Sequence, residues 1–341
     1  MKKINVAVLM GGVSSEHEIS IISGQQVVRS LDKSKFNITP VLISKRGIWR
    51  TLSVAETLDL PDPLKIKGTE KEIVVFNKDN NISNPGDVKK KGIDIVFIAM
   101  HGTFAEDGTI QGLLELSGLK YTGAGVLASS LGMNKLMFRK FVTGLSLLVP
   151  KYVSLKKNDS LNKVFNVLGM PPYFVKPNNQ GSSVGASIVK VKKDLVSAVK
   201  NAFKYDDIVL VDEYIKGKEI TCAVLGNENP VALPLVEIVP KKGEFFDYES
   251  KYTESGSDEI VPARISKSFT KRIQKTAARV YKEIGCMGFG RVDFILKDGM
   301  AYILEINTIP GLTPMSLFPK AAKAAGVSYP GLLDKIIRFG L

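Results

Sequence analysis

The residues best equipped for chemistry stand close together late in the chain. In "GFGRVDFILKDGMAYILEINTIPG", residues 288–311, two β-rich runs flank Asp298-Gly299. Side chains two apart on a strand share a face, so Arg291 points with Asp293, and Glu305 with Asn307. A three-residue loop, Asp298 to Met300, sets Asp293 opposite Glu305 and Arg291 opposite Asn307. Opposed carboxylates repel each other unless a cation neutralises them. Asp, Glu and Asn supply oxygen alone, the donor set of Mg²⁺, which completes its shell with water and phosphate oxygens. The plainer alternative is a solvated polar face on which Arg291 balances the acids. The "NTIPG" that follows favours the metal, because a Pro-Gly turn after a ligand-bearing strand suits a substrate loop.

A second phosphate-directed stretch is "KPNNQGSSVG". Lys176 lies in an apolar strand, and Gly181-Ser182-Ser183 forms a small turn whose amides and hydroxyls could cover phosphates. It is no Walker A loop, since the lysine precedes the glycines, and a hairpin turn with a snorkelling lysine reads equally well. His101, in "MHGTFAEDGTIQG", stands just past a buried strand, where α/β folds gather ligands. At the other end, "MGGVSSEHEIS" has the strand, glycine turn and helix of a phosphate site, yet Glu16 and Glu18 would repel a phosphate. Gly11-Gly12-Val13-Ser14-Ser15-Glu16 does not spell G-x-G-x-x-G, which disfavours a nicotinamide dehydrogenase. Lys135, the Glu213–Ile215 connector and Glu219 have no intrinsic distinction.

These residues need elements to hold them. Ile4 to Met10 reads as a buried strand and Ser15 to Ser30 as a helix, with Ser15 and Glu18 at capping-box spacing worth about 1 kcal/mol. Strands at Ile38 to Ser44 and Ile93 to Met100 complete an α/β layer with a mainly parallel sheet. Residues 47 to 91 are polar and turn-rich, hence peripheral. Helices are expected from Asn134, around 160–168, near 194–204 and from about Phe269 to Ile284, with strands between them. The expected units are 1–125, 126–212 and 213–341.

With 341 residues, 44% hydrophobic and 24% charged, the chain has ample core for two or three domains. The 47 Lys and Arg against 34 Asp and Glu give a net charge of +13 and favour an anionic partner, but the cations are dispersed and no nucleic-acid module is present. Cys222 and Cys286 have no partner at metal-ligand spacing and read as buried, reduced thiols. No signal peptide or membrane span is legible, so a cytoplasmic protein without membrane or nucleic-acid partners is expected.

Together the residues resemble a family. Six ordered segments, "GGVSSEHEIS", "HGTFAEDGTIQG", "FVKPNNQGSSVG", "VDEYIKGKEIT", "DYESKYT" and "GFGRVDF…LEINTIPGLTPMSLFP", resemble the D-alanine–D-alanine ligases of the ATP-grasp superfamily along essentially the whole chain. The resemblance implies a Rossmann-like first domain and a two-domain ATP-grasp fold, α/β with α+β in the later domains. It implies that two D-alanine molecules are joined through an acyl phosphate for peptidoglycan precursor synthesis.

Its implied residue roles are specific. Asp293, Glu305 and Asn307 would hold two Mg²⁺ ions (with Mn²⁺ a possible substitute) on ATP. Lys135 and Lys176 would contact the nucleotide, and Gly181, Ser182 and Ser183 would cover its phosphates. Backbone groups of Glu213 and Ile215 would bind adenine, and Glu219 the ribose hydroxyls. Glu16 would receive the first substrate's ammonium, with Ser182 and Tyr252 orienting it and His101 nearby. Arg291 and the Gly311 amide would stabilise the tetrahedral intermediate. Lys251, Ser316 and Leu317 would take the second carboxylate.

The alternatives are a D-alanine–D-serine or D-alanine–D-lactate ligase of the same fold, and a nucleotide-binding module without chemistry. Lys251-Tyr252 in "ESKYT" resembles the D-alanine-selective group, and the polar loop 242–259 is expected to close as a lid. A homodimer is expected.

Overall fold

The computed structural model describes residues 2–61, 81–82, 92–241 and 257–341. Val6 to Met10 are apolar and fully buried, as a parallel strand covered on both faces requires. They lie in β1 (Ile4–Gly11), which leads through helix α1 (His17–Ser30) to its parallel neighbour β2 (Phe36–Ile43). Then come β3 (Trp49–Thr51), α2 (Val54–Leu58), β4 (Asn81–Ile82) and β5 (Ile95–Ile98). The sheet order is β4-β3-β2-β1-β5; β5 is parallel to β1, and β3 and β4 extend the far edge antiparallel. The peripheral stretch read at residues 47 to 91 falls for the most part outside the described residues.

The capping box expected of Ser15 and Glu18 does not form. Helix α1 starts at His17, with Glu16 in the cap position and no side-chain cap. Ser14 turns inward instead, its Oγ donating to the His101 carbonyl at 2.7 Å and accepting from Glu16 N at 3.1 Å. That bond carries the glycine turn past Ser15 and delays the helix. Glu18 is left facing Lys45, 2.8 Å away.

Three helices follow, α3 (Thr109–Leu116), α4 (Val126–Met133) and α5 (Lys135–Gly144), the last capped by Asn134, whose Oδ1 accepts from Met137 N at 3.0 Å. The second sheet holds β6 (Tyr152–Lys156), β7 (Tyr173–Pro177), β8 (Ser187–Val189) and β9 (Ile208–Glu213), in the antiparallel order β6-β9-β7-β8. Helices α6 (Asn162–Leu168) and α7 (Leu195–Ala202) pack with it around Val164, Tyr173 and Val211.

The third sheet, also antiparallel, runs β13-β12-β10-β14-β15, with β11 on β10. Its strands are β10 (Lys218–Leu225), β11 (Val231–Ala232), β12 (Val236–Pro240), β13 (Ser257–Ile260), β14 (Phe289–Lys297) and β15 (Met300–Asn307). Helix α8 (Lys267–Glu283) buries Ile273, Ala277, Val280 and Tyr281, spaced as one helical face, in the core it shares with this sheet.

The last helices, α9 (Leu317–Ala324) and α10 (Tyr329–Phe339), return to the start of the chain. Leu332, Leu333, Ile336 and Ile337 share one core with Val6, Val8, Val27 and Ile95. Lys35 stands 3.5 Å from Asp334, and Asn227 Nδ2 donates to the Phe339 carbonyl at 3.0 Å. A mainly parallel first sheet and two antiparallel ones give the α/β-then-α+β architecture read from the sequence.

Candidate active site

Strands β14 and β15 place Asp293 opposite Glu305 and Arg291 opposite Asn307, but not through the expected three-residue loop. The turn has two residues, Asp298 at φ +50° and Gly299 at φ +72°, between the paired Lys297 and Met300. The primed hairpin turn that Asp-Gly favours explains this. An even loop alone would turn Glu305 and Asn307 to the far face. A bulge restores them: pairing passes from Asp293 with Glu305 to Phe294 with Ile303, and Leu304 is the extra residue.

This face looks into a cleft of about 1010 Å³ lined by residues of the second and third sheets, of α1 and of the loop after β5. The cleft brings together Glu16, His101, Lys135, Lys176, Gly181, Ser182, Ser183, Glu213, Ile215, Glu219, Arg291, Asp293, Glu305, Asn307, Gly311, Ser316 and Leu317. Lys251, Tyr252 and most of the expected lid lie outside the described residues. Leu304, Glu106, Phe174 and Asp212 also line the cleft and were missed in the sequence. Leu304 is the extra residue of the bulge, which leaves no mark in the sequence.

One end of the cleft is acidic. Ser182 Oγ donates to Glu16 Oε1, joining the serine turn to the start of α1. Ser182 and Ser183 hold left-handed φ of +48° and +60°, a strained pair of the kind that functional turns retain. Gly102 is needed close by: its φ is +79°, and a Cβ there would lie 2.8 Å from Glu16 Oε2. The Gly102 amide donates to Glu106 Oε1 at 2.9 Å, and His101 Nδ1 lies 3.8 Å from the same oxygen. Burial, reinforced by Glu16, pushes the Glu106 carboxyl up to about 8. Burial holds the His101 imidazole below its ordinary value against the pull of Glu16. His101 Nε2 meets Ser23 Oγ at 2.8 Å. At neutral pH this end therefore sets a neutral acid and a neutral imidazole beside Glu16.

The middle is cationic. Lys135 Nζ donates to the Gln180 carbonyl at 2.6 Å and stands 3.6 Å from Glu305 Oε2. Lys176 Nζ lies 3.3 Å from Asp212 Oδ2. Burial lowers the Lys176 ammonium to about 8, Asp212 opposing the shift and Arg139 adding to it. Beyond it, Glu213 closes against Lys151, whose amide donates to Glu213 Oε1 at 2.7 Å. Ile215 and Glu219 complete that wall. At the opposite side, Ser316 Oγ meets Thr313 Oγ1 at 2.8 Å and sits at the start of α9 without capping it. A helix start with open amides suits a carboxylate.

Among the described residues no three His, Cys, Asp or Glu side chains form a metal cluster. The oxygen set is instead two carboxylates and an amide, Asp293, Glu305 and Asn307, on one face. Arg291 forks onto Asp293 with both contacts at 2.8 Å, and Lys135 faces Glu305, so each acid already leans on a cation. Even so, all-oxygen donors on one face beside an adjoining cleft fit a hard divalent ion. Burial works against the Arg291 charge, but Asp293 and Glu305 hold its guanidinium above the ordinary value.

Comparisons with known proteins agree in direction. The model of the D-ala D-ala ligase N-terminus matches residues 5–124, and that of the C-terminus matches residues 138–338. The D-alanine–D-alanine ligase of Desulforudis audaxviator is 41% identical over 336 residues, covering 98% of this chain and 97% of that one. The VanG D-Ala:D-Ser ligase from Enterococcus faecalis superposes with a TM-score of 0.84 at 34% identity, over 100% of both chains. The D-alanine–D-alanine ligase from Bacillus anthracis, complexed with ATP, gives 0.76 at 32% identity over 99% of this chain and 97% of that one. The chain belongs to the D-alanine–D-alanine ligase family.

Proposed function

We propose that the chain joins two molecules of D-alanine into D-alanyl-D-alanine while ATP is converted to ADP and phosphate. The observation that carries this reading is the single cleft in which an anion, a cationic stretch and an oxygen-donor face follow one another. A carboxylate is a poor electrophile at neutral pH and must be activated before an amine can attack it. The first substrate's carboxylate attacks the γ-phosphorus, giving an acyl phosphate and ADP; the protein's work there is positioning and charge neutralisation. The second substrate's amine then attacks the acyl carbon, sheds a proton, and phosphate departs.

Glu16, hydrogen-bonded by Ser182, receives the first ammonium, with His101 beside it. Lys135, Lys176 and the Gly181–Ser183 turn take the phosphates. Glu213 and Ile215 offer backbone groups to adenine, and Glu219 a carboxylate to the ribose. Arg291 and the Gly311 amide meet the developing oxyanion. Ser316 and Leu317, at the start of α9, hold the second carboxylate with Lys251, and Tyr252 completes the first site. Asp293, Glu305 and Asn307 are the residues that would hold Mg²⁺, which when bound offsets phosphate charge. The same reading sets unit boundaries near residues 125 and 212 and makes the protein a homodimer acting in the cytoplasm.

The test is phosphate release with ATP and Mg²⁺, offering D-alanine alone or paired with D-serine or D-lactate, with products identified by mass. Release that depends on D-alanine and yields the dipeptide is expected. Release without D-alanine, or preference for D-lactate at neutral pH, overturns the reading.

A further inference from the structure

Behind the cationic stretch lies a buried ion pair, Arg139 with Asp212, that the proposed reaction does not use directly. Arg139, on α5, is fully buried, and its two terminal nitrogens fork onto the two oxygens of Asp212, the second at 2.6 Å. Asp212 is 3% exposed and sits on β9 between Tyr152 of β6 and Phe174 of β7, its direct neighbours across the sheet. The Tyr152 ring lies 5.1 Å from the Arg139 guanidinium carbon. Lys176, two residues beyond Phe174 and so on the same face, brings Nζ to 3.3 Å from Asp212 Oδ2. One carboxylate thus serves two buried cations.

The chemistry of the two cations differs. A guanidinium stays charged at any accessible pH, whereas a buried lysine gives up its proton when its counter-charge is removed. Arg139 is spent on the fork. Lys176 has a single contact with the acid and faces the cleft. The shared carboxylate therefore governs the lysine more than the arginine.

We propose that Asp212, fixed by the Arg139 fork, is a positioning residue for the nucleotide: it keeps the Lys176 ammonium charged and aimed into the cleft, so that a triphosphate meets a cation already in place. Asp212 acts through Lys176 and touches no substrate itself. The inference rests on the reading that Lys176 contacts the nucleotide phosphates. It also gives α5 two roles on one face, since Lys135 lies four residues before Arg139.

A double-mutant cycle on the full chain separates this from a clamp that merely joins α5 to the sheet. Lys176→Met, Asp212→Asn and the double variant are compared for the KM of ATP, the KM of D-alanine and kcat. Lys176→Met is expected to raise the KM of ATP at least tenfold. Asp212→Asn should raise it by a similar factor and leave the KM of D-alanine within twofold. The double variant should be no worse than Lys176→Met alone, because Asp212 has nothing left to position. Effects on the KM of ATP that multiply, or an unchanged KM in Asp212→Asn, overturn the proposal. An unchanged KM in Lys176→Met overturns instead the underlying reading of the lysine, and the proposal with it. If Asp212→Asn does not fold, Arg139→Lys, which keeps the acid but breaks the fork, takes its place in the cycle with the same criteria.

Discussion

Replacing Glu106 by glutamine removes one ionisation and little else, since the amide oxygen can still accept from Gly102 N. The side chain is held near 8 by burial and by Glu16, against an ordinary value of 4.5. At pH 7 about nine in ten molecules therefore have the neutral acid. A group whose folded value is raised stabilises the fold fully below the unfolded value and loses that contribution as pH rises through the folded one. The window is pH 4.5 to about 8, and a shift of that size has a ceiling on the order of 5 kcal/mol. For a chain of this length each kcal/mol moves the melting temperature by roughly 1–2 °C. Thermal melts of the native protein and Glu106→Gln at half-unit steps from pH 5 to 9 read the difference directly. The native protein should lose several degrees relative to the variant across that window. Above pH 8 it should also lose kcat/KM for D-alanine at saturating ATP, as a second anion forms beside Glu16, and the variant should not. Parallel melting curves would falsify the assignment of Glu106 as a neutral acid.

Other perturbations test separate parts of the site. Gly102→Ala must hold a left-handed φ and push a methyl into Glu16; we expect about 1 kcal/mol of lost stability and a KM for D-alanine raised at least tenfold, with the KM of ATP unchanged in initial-rate assays. Deleting Leu304 removes the bulge but leaves a two-residue hairpin that still sets Asp293 against Glu305, so the divalent-ion requirement should persist while ATP binding weakens; loss of the ion requirement in metal titrations would sink the register argument. Glu237, held by Arg264 down to about 2, stabilises the fold above pH 4.5, and that contribution fades as pH falls toward 2. The melting-temperature gap between the native protein and Glu237→Gln should therefore close over that range, and a constant gap would assign the effect to packing.

The sequence was most legible where pattern alone decides structure. The continuous apolar run of β1 specified a parallel strand buried on both faces, and the alternation in 291–307 specified which side chains share a face. The same hairpin marks the limit. Asp298-Gly299 pointed to a tight turn, but whether Glu305 faced Asp293 depended on a bulge at Leu304 that leaves no trace in residue type. Arg139 and Asp212 escaped notice because they are 73 residues apart and each alone resembles an ordinary charge on a helix or strand. Glu106 sat inside a quoted motif, yet its neutrality comes from burial, which only the packed fold reveals. The capping box failed for a similar reason: the carbonyl of His101, distant in sequence, claimed Ser14 and moved the helix start.

The return of α10 to the first core sets an order on synthesis. The strands of the first sheet are complete once Ile98 has been made, but Leu332, Leu333, Ile336 and Ile337, which share their core, are translated last among its members. At roughly 5–20 residues per second that interval is on the order of 10–50 s. During it a nascent chain holds the strands of the first sheet without the helix that completes their core, and uncovered apolar surface of that kind recruits chaperones and favours aggregation. A premature stop before Tyr329 would leave every cleft residue in place and still yield a protein held permanently at that stage.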